Sequence, residues 1–513
     1  MTRILVTGAA GGIGRITCPF LRELGHVVVG FDRAEDPGCC DAYVQGGIDD
    51  AAALRRAMVG CEAVIHLAAN PGTHSDFLTR LVEPNLIGAW RVYDLAADLG
   101  VRRVIFASSI NAVNGPVAKA TLPAPEALED PGNPYGLTKL WGEQAGRLFH
   151  QTRGLQVICA RICRFVRSDS SFAWLRDHPE DTEPHTSPET WKHFLLCALA
   201  TDAGFAVVHV QSLPRDGIWR LDHRGGRDAI GYQPKDAFPA GFPAAWIHAP
   251  PYEKPIRSLP GWGPMAAAVP GRRVLITGAA GLIGRHVGAH LRGQGWTTVG
   301  LDLRGNPGGW PDWVDGSICD RGVVDRAIAG CSSVIHLAAS PSPETPFDRH
   351  LDANYRGLWT VLEAARDHGS KRVILASSLH VLGGPERAFG PQGGHPLSAY
   401  GLSKLFAERA GRLFHQLHGL DVIAMRIGWC SDHPGSLRTL VRWGCQESYL
   451  SLRDAGLGFA AALTAPDRGF SIWHAHVGRE GLPAVPQNDG WYASDRIEDA
   501  IAANDADAPA LRR

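Results

Sequence analysis

Tyr135 precedes Lys139 by four residues (Tyr135-Gly-Leu-Thr-Lys139), and Tyr400 precedes Lys404 by the same interval (Tyr400-Gly-Leu-Ser-Lys404). On a helix that spacing puts phenol and ammonium on one face. The ammonium is expected to lower the phenol pKa towards neutrality, so that the phenolate can take or return a hydroxyl proton. Ser109 and Ser378 lie upstream, each at the end of an Ala-Ser-Ser run. A serine at a strand end can hydrogen-bond a substrate oxygen while hydride moves. One Tyr-x-x-x-Lys arises by chance in many helices. Two of them, each following a glycine turn, an acid and a serine in the same order, are specific.

The glycine turns are Thr7-Gly8-Ala-Ala-Gly11-Gly12-Ile13-Gly14 and Thr277-Gly278-Ala-Ala-Gly281-Leu282-Ile283-Gly284. Each follows an apolar run and opens a stretch with helical spacing, Ile13 to Leu24 in the first case. A strand–turn–helix of this kind brings a pyrophosphate against backbone N–H groups at a helix N-terminus. Gly8 permits the turn, Gly11 lets the phosphates approach, and Gly14 lets helix pack on strand. Asp32 and Asp302 end the next strand, where a carboxylate accepts from the ribose hydroxyls and repels a 2′-phosphate. These features predict NAD, up to two per chain. Arg33 and Arg304 keep NADP as the alternative.

Positioning these groups takes alternating strands and helices. The first half reads as strands at Val27–Asp32, Ala63–Leu67, Arg103–Ser108 and Gln156–Arg161. Helices fall between them at Asp50–Met58, Asn85–Leu99 and Pro134–His150. Alternation of this kind predicts a doubly wound parallel sheet with ligands beyond the carboxyl ends of its strands, where Gly8, Asp32, Ala68 and Ser109 lie. Gly8 pairs with Gly278, Asp32 with Asp302, His66 with His336, Asn85 with Asn354 and Lys139 with Lys404, in unbroken order. That is a tandem duplication. The expected architecture is α/β: two Rossmann-type domains, 1–251 and 272–513, each with a small C-terminal substrate-capping region. A Pro/Gly-rich linker, 252–271, joins them. The polar, Pro-rich insertion Asp177–Trp191 reads as a disordered or lid-like surface loop, where the second half has Gly435–Gln446.

The 513 residues carry a formal net charge of −1, which gives no reason to expect nucleic acid or an anionic membrane as partner. No apolar run approaches membrane-spanning length, and the N-terminus runs straight into a core strand. The 11 cysteines are scattered without a C-x-x-C pair, and the 22 histidines show no metal-ligand spacing. A cytoplasmic, metal-free protein with buried thiols is expected.

Taken together, Thr-Gly-x-x-Gly-x-x-Gly, His66-Leu67-Ala68-Ala69, Asn85-x-x-Gly88, Ala107-Ser-Ser109 and Tyr135-x-x-x-Lys139 resemble the extended short-chain dehydrogenase/reductase family of NAD-dependent epimerases and dehydratases. The second half repeats the set with His336-Leu337-Ala338-Ala339, Asn354-x-x-Gly357, Ala376-Ser-Ser378 and Tyr400-x-x-x-Lys404. Arg103-Val-Ile-Phe-Ala-Ser-Ser109, Gly231-Tyr-Gln-Pro-Lys-Asp236, Arg426-Ile-Gly428 and Ala462-Leu-Thr-Ala-Pro466 make each half resemble the short members of that family typified by uronate dehydrogenase. The resemblance implies that Leu67, Ala68, Ala69 and Asn85, with Leu337, Ala338, Ala339 and Asn354, join the glycine turns around the cofactor. It also implies that Asn111, His380 and Arg438 face substrate. The pocket differs between halves. Ile110-Asn111 and Leu379-His380 follow the serines, and Arg164 and Trp429 replace a substrate-binding serine.

The function expected is an NAD-dependent oxidoreductase of a small polyhydroxylated substrate, a sugar acid or a related secondary alcohol or ketone. An NAD-retaining epimerase is the alternative. A dehydratase, which needs an acid beside the serine, fits Ile110 and Leu379 poorly. Two catalytic units, or one unit and a non-catalytic partner, would form an intramolecular pseudo-dimer, with room for further homo-oligomerisation.

Overall fold

The structure, a computed structural model, describes residues 1–113, 130–179, 184–217, 219, 221–222, 224–243, 265–383, 394–431, 433–445, 448–467 and 469–476. The chain divides into two compact units, Met1–Pro260 and Gly261–Arg513. The outer parts of the expected linker differ: 252–264 lies outside the described residues, whereas Ala266 and Val269 donate to Arg366 and Gly369 of the second unit.

In the first unit seven strands run in the order 42–45, 27–32, 3–7, 63–66, 103–109, 156–162 and 205–210, all parallel. The second unit repeats this order with 312–315, 297–302, 273–277, 333–336, 372–378, 421–427 and 470–475. Central strands such as Arg3–Thr7 and Arg103–Ser109 are near-continuous apolar runs because helices cover both faces of the sheet. Ile4, Val6, Val28, Ile65, Ile105 and Ile158 are fully buried, each worth about 1.5–3 kcal/mol of transfer free energy. The strand order reverses where Arg3–Thr7 meets both Val27–Asp32 and Ala63–His66, which opens the ligand crevice of such sheets.

The two motif-bearing helices, Pro134–Arg153 and Ala399–His418, are bounded by local chemistry. Asn133 and Ser398 accept from the N–H groups of Gly136 and Gly401 at their N-caps. Gly154 and Gly419 close the helices in the left-handed region, at φ 69° and 73°.

Two expectations are corrected. The helix foreseen over Asn85–Leu99 is α-helical only from Gly88 to Asp98, and the segment Phe77–Ile87 before it is π-helical. Leu351–Gly357 repeats that wide turn without a proline, so Pro84 is not its cause. The expected lid over Asp177–Trp191 is also ordered framework on both sides of 180–183, which lies outside the described residues. His185–Thr186 pairs with Arg164–Phe165. Ser187 then caps the helix Pro188–Ala200. Trp191 is fully buried and donates from Nε1 to the Thr17 hydroxyl at 2.9 Å. Polar, Pro-rich sequence here marks a capped helix start.

Candidate functional site

Gly8 has φ +74°, and a Cβ there would stand 2.8 Å from the Ala68 nitrogen. A Cβ on Gly14 would stand 2.3 Å from the Gly8 carbonyl oxygen. Gly278 and Gly284 meet the same constraints against Ala338 and Gly278, at 2.7 and 2.4 Å. Bare backbone thus packs on bare backbone, which brings each glycine turn against Leu67–Ala69 or Leu337–Ala339. A side chain would close the cradle, so the geometry fits a dinucleotide pyrophosphate. Gly12 differs from its counterpart Leu282. Its missing Cβ leaves room for the Arg167 side chain, whose Cδ would lie 2.8 Å from it.

Asp32 accepts from the Ala10 and Ala34 N–H groups, both at 3.1 Å, so its carboxylate faces the turn. Asp302 accepts likewise from Ala280 at 2.9 Å and from Arg304 N at 3.0 Å, and also from the Arg304 guanidinium at 3.2 Å. Burial raises the Asp302 pKa, but the bonds from Arg304 and Ala280 outweigh it and hold the carboxyl below its ordinary value. At the next strand end the Thr7 hydroxyl accepts from Ala68 N–H at 3.3 Å and bonds His66 Nδ1 at 2.8 Å. Burial, with Lys139 nearby, pulls His66 down to about 3 and keeps its ring neutral. Thr277, Ala338 and His336 repeat the arrangement.

Asn85 and Asn354 do not offer their amides to the crevice. Asn85 Oδ1 accepts from Asn70 N at 2.8 Å, while its Nδ2 donates to Asn70 O and to Thr138 Oγ1. Asn354 binds Ser340 and Ser403 in the same pattern. Thr138 and Ser403 in turn donate to the Tyr135 and Tyr400 carbonyls at 2.7 Å. The wide π turn therefore carries an asparagine that fixes the tyrosine-bearing helix.

Ser109, Tyr135 and Lys139 come together, as do Ser378, Tyr400 and Lys404. All six are buried. Burial pushes the Tyr135 and Tyr400 phenols up to about 12, against hydrogen bonds from Ser109 and Ser378 that lower them. Lys139 Nζ donates to Ala107 O at 2.8 Å and lies 5.6 Å from the Tyr135 ring centre. Burial draws Lys139 down to about 7, with Glu143 opposing, and draws Lys404 down to about 8. Desolvation is thus the largest influence on both groups, raising the phenols and lowering the lysines.

Asn111 donates from Nδ2 to Ser109 Oγ at 3.2 Å and accepts from Asn133, placing it beside Ser109. His380, its counterpart, sets its ring edge-on to Tyr400 at 5.5 Å. Arg438 stands exposed on the helix Pro434–Arg442 rather than among the buried triad. Arg164 stacks on Trp174 at 4.4 Å, and Trp429 packs on Trp443 at 5.7 Å.

Sequence reasoning missed the carboxylate beneath the lysine. Glu143 Oε1 and Oε2 accept from Arg161 at 2.9 and 2.7 Å, and Glu143 also accepts from Ser108. Glu408 does the same for Arg426 and Ser377. The signal was present: Tyr, Lys and Glu recur every fourth residue along one helix face.

A family model described as the NAD dependent epimerase/dehydratase family matches residues 4–167 and again 274–430. The uronate dehydrogenase of Agrobacterium fabrum is 33% identical over 194 residues, 36% of this chain and 71% of that protein. The uronate dehydrogenase of Pseudomonas putida is 29% identical over 248 residues, 46% of this chain and 92% of that protein. Among solved structures, uronate dehydrogenase from Agrobacterium tumefaciens matches with TM-score 0.40 at 29% identity, over 45% of this chain and 89% of that one.

Proposed function

The chain belongs to the NAD dependent epimerase/dehydratase family, whose model it matches twice, and from that premise we propose that each copy oxidises or reduces a small polyhydroxylated substrate with NAD. The substrate class is a sugar acid or a related secondary alcohol or ketone, and the likeness to uronate dehydrogenases supports it. NAD, when bound, supplies the hydride acceptor. The residues that would hold it are the glycine turns, Asp32 and Asp302, and the backbone at Leu67–Ala69 and Leu337–Ala339.

Within each unit the chain's own groups handle the proton. Ser109 and Ser378 hold the substrate oxygen. Tyr135 and Tyr400 take its proton during oxidation and return it during reduction. Lys139 and Lys404 stabilise the phenolate that results. Asn85 and Asn354 are positioning residues, acting through Thr138 and Ser403. The pockets around the two groups differ at Asn111 against His380 and at Arg164 against Trp429, which supports two distinct substrate preferences.

The observation that carries the reading is the buried Ser–Tyr–Lys group beside a glycine cradle, built the same way twice. The test compares wild type, Tyr135→Phe and Tyr400→Phe for NAD(H) binding and for turnover of uronic acids and polyols. Each substitution is expected to remove one activity at least ~10²-fold, the usual scale of a general acid–base group, while two cofactors per chain still bind. A tightly held cofactor with no net NADH from any substrate would replace this reading with an epimerase.

A further inference from the structure

Cys18, Cys39 and Cys40 come from two separate segments, the helix Gly14–Glu23 and the loop between strands Val27–Asp32 and Ala42–Gln45. Their three sulfur atoms nevertheless lie within 4.8 Å of one another. Cys39 and Cys40 are neighbours in the chain, yet their Sγ atoms are only 3.9 Å apart. Two thiolates on one metal ion at about 2.3 Å and a tetrahedral angle are separated by about 3.8 Å.

The second unit shows how the same space is filled when no such chemistry is present. Matched strand registers put Gly288, Gly309 and Trp310 at the positions of Cys18, Cys39 and Cys40. There one indole spans from strand to helix: a Cβ on Gly300 would meet Trp310 at 2.9 Å and one on Gly288 would meet it at 2.4 Å. In the first unit Gly30 faces Cys40 Sγ instead, at 2.6 Å from its would-be Cβ. The fold is satisfied by one large apolar side chain, and the first unit puts three converging thiols there.

We propose that Cys18, Cys39 and Cys40 form a binding site for a single thiophilic d¹⁰ metal ion, zinc or cuprous, present in the first unit alone. Soft thiolate sulfur selects these ions over magnesium, calcium or manganese. On binding, three S–H bonds break, three S–metal bonds form, and three protons leave to solvent with no change in oxidation state. A divalent ion leaves a complex of charge −1, with the positive charge of Arg15 and the negative charges of Asp36 and Asp41 nearby. Cys18 is fully buried, whereas Cys39 and Cys40 are half-buried and give the ion a path of entry. A zinc ion would take water as its fourth ligand on that open side, and a cuprous ion needs none.

The test titrates the full-length reduced protein, without oxygen, with Cd(II) as the zinc stand-in and separately with Cu(I) against a chelator. The expected result is a thiolate-to-metal charge-transfer band saturating at one ion per chain, and a melting temperature that rises with free metal. A zinc-type site saturates with Cd(II), whereas a cuprous site holds Cu(I) against the chelator and takes Cd(II) poorly. The triple variant C18G/C39G/C40W installs the other unit's packing and should lose the band while still folding and binding NAD. If it does not fold, C40S must weaken metal binding at least tenfold. No band in the native protein, or an undiminished band in these variants, means the thiols are packing only.

Discussion

Lys139 Nζ lies 5.6 Å from the Tyr135 ring centre, close enough to treat the two groups as one two-proton system. With the phenol near 12 and the lysine near 7, the pair sheds its first proton at about pH 7 and keeps the second well into the alkaline range. The singly protonated state includes the phenolate–ammonium form that can accept a substrate proton. Oxidation therefore needs the first proton gone, and kcat/KM for oxidation should rise with pH through about 7 in the first unit. The corresponding rise for the second unit falls at about 8, set by Lys404. Each limb is read from the variant that disables the other tyrosine. A profile that falls through this range contradicts the assignment. The motif spacing made these residues legible, but not their titration. That follows from how completely Ala107, Phe106 and the strand behind them exclude water from the lysine.

Among the elements, the helix Pro134–Arg153 and the strand Gln156–Ile162 are tied by the Glu143–Arg161 pair, with both side chains nearly dry. Removing one member of such a pair strands the other charge. Glu143→Ala should destabilise the unit that holds it by roughly 3–5 kcal/mol. Glu143→Ala combined with Arg161→Met should recover much of that loss, because an apolar pair costs no desolvation. Denaturant unfolding of wild type, single and double variants checks this, and a single variant within ~0.5 kcal/mol of wild type would rule out a buried charge there. Helix and strand could be read from periodicity. The π turn over Phe77–Ile87 could not, because its purpose is to aim Asn85 at Asn70 and Thr138, which lie in other segments.

For the whole molecule, acid is the sensitive direction. His66 and His336 are drawn to about 3, and His209 and His474 to about 4, all chiefly by burial. Unfolded, each binds its proton near pH 6.5. Between that value and the folded pKa the unfolded chain holds more protons, so stability is full above pH 6.5 and declines as pH falls. Each histidine adds a slope of about 1.4 kcal/mol per pH unit. Thermal or urea unfolding between pH 7 and 4 should show this loss in both units, since each carries two such rings. His66→Gln and His336→Gln should flatten the slope, and an unchanged slope would show that carboxylates govern it instead. Among the described residues no helix is long and apolar enough to cross a membrane.

The amino-acid sequence by itself determined the duplication, the parallel α/β alternation, the two glycine turns with their acids, and the six residues of the Ser, Tyr and Lys groups. All of these rest on local spacing, and spacing is written along the chain. Tertiary structure alone decided how deeply the phenols and lysines are buried, that Asn85 holds a helix, and that Trp191 belongs to the core. It also decided that Cys18 meets Cys39 and Cys40. The reason is common to all four: desolvation and convergence depend on segments far apart in sequence, and these become neighbours only when the sheet is assembled.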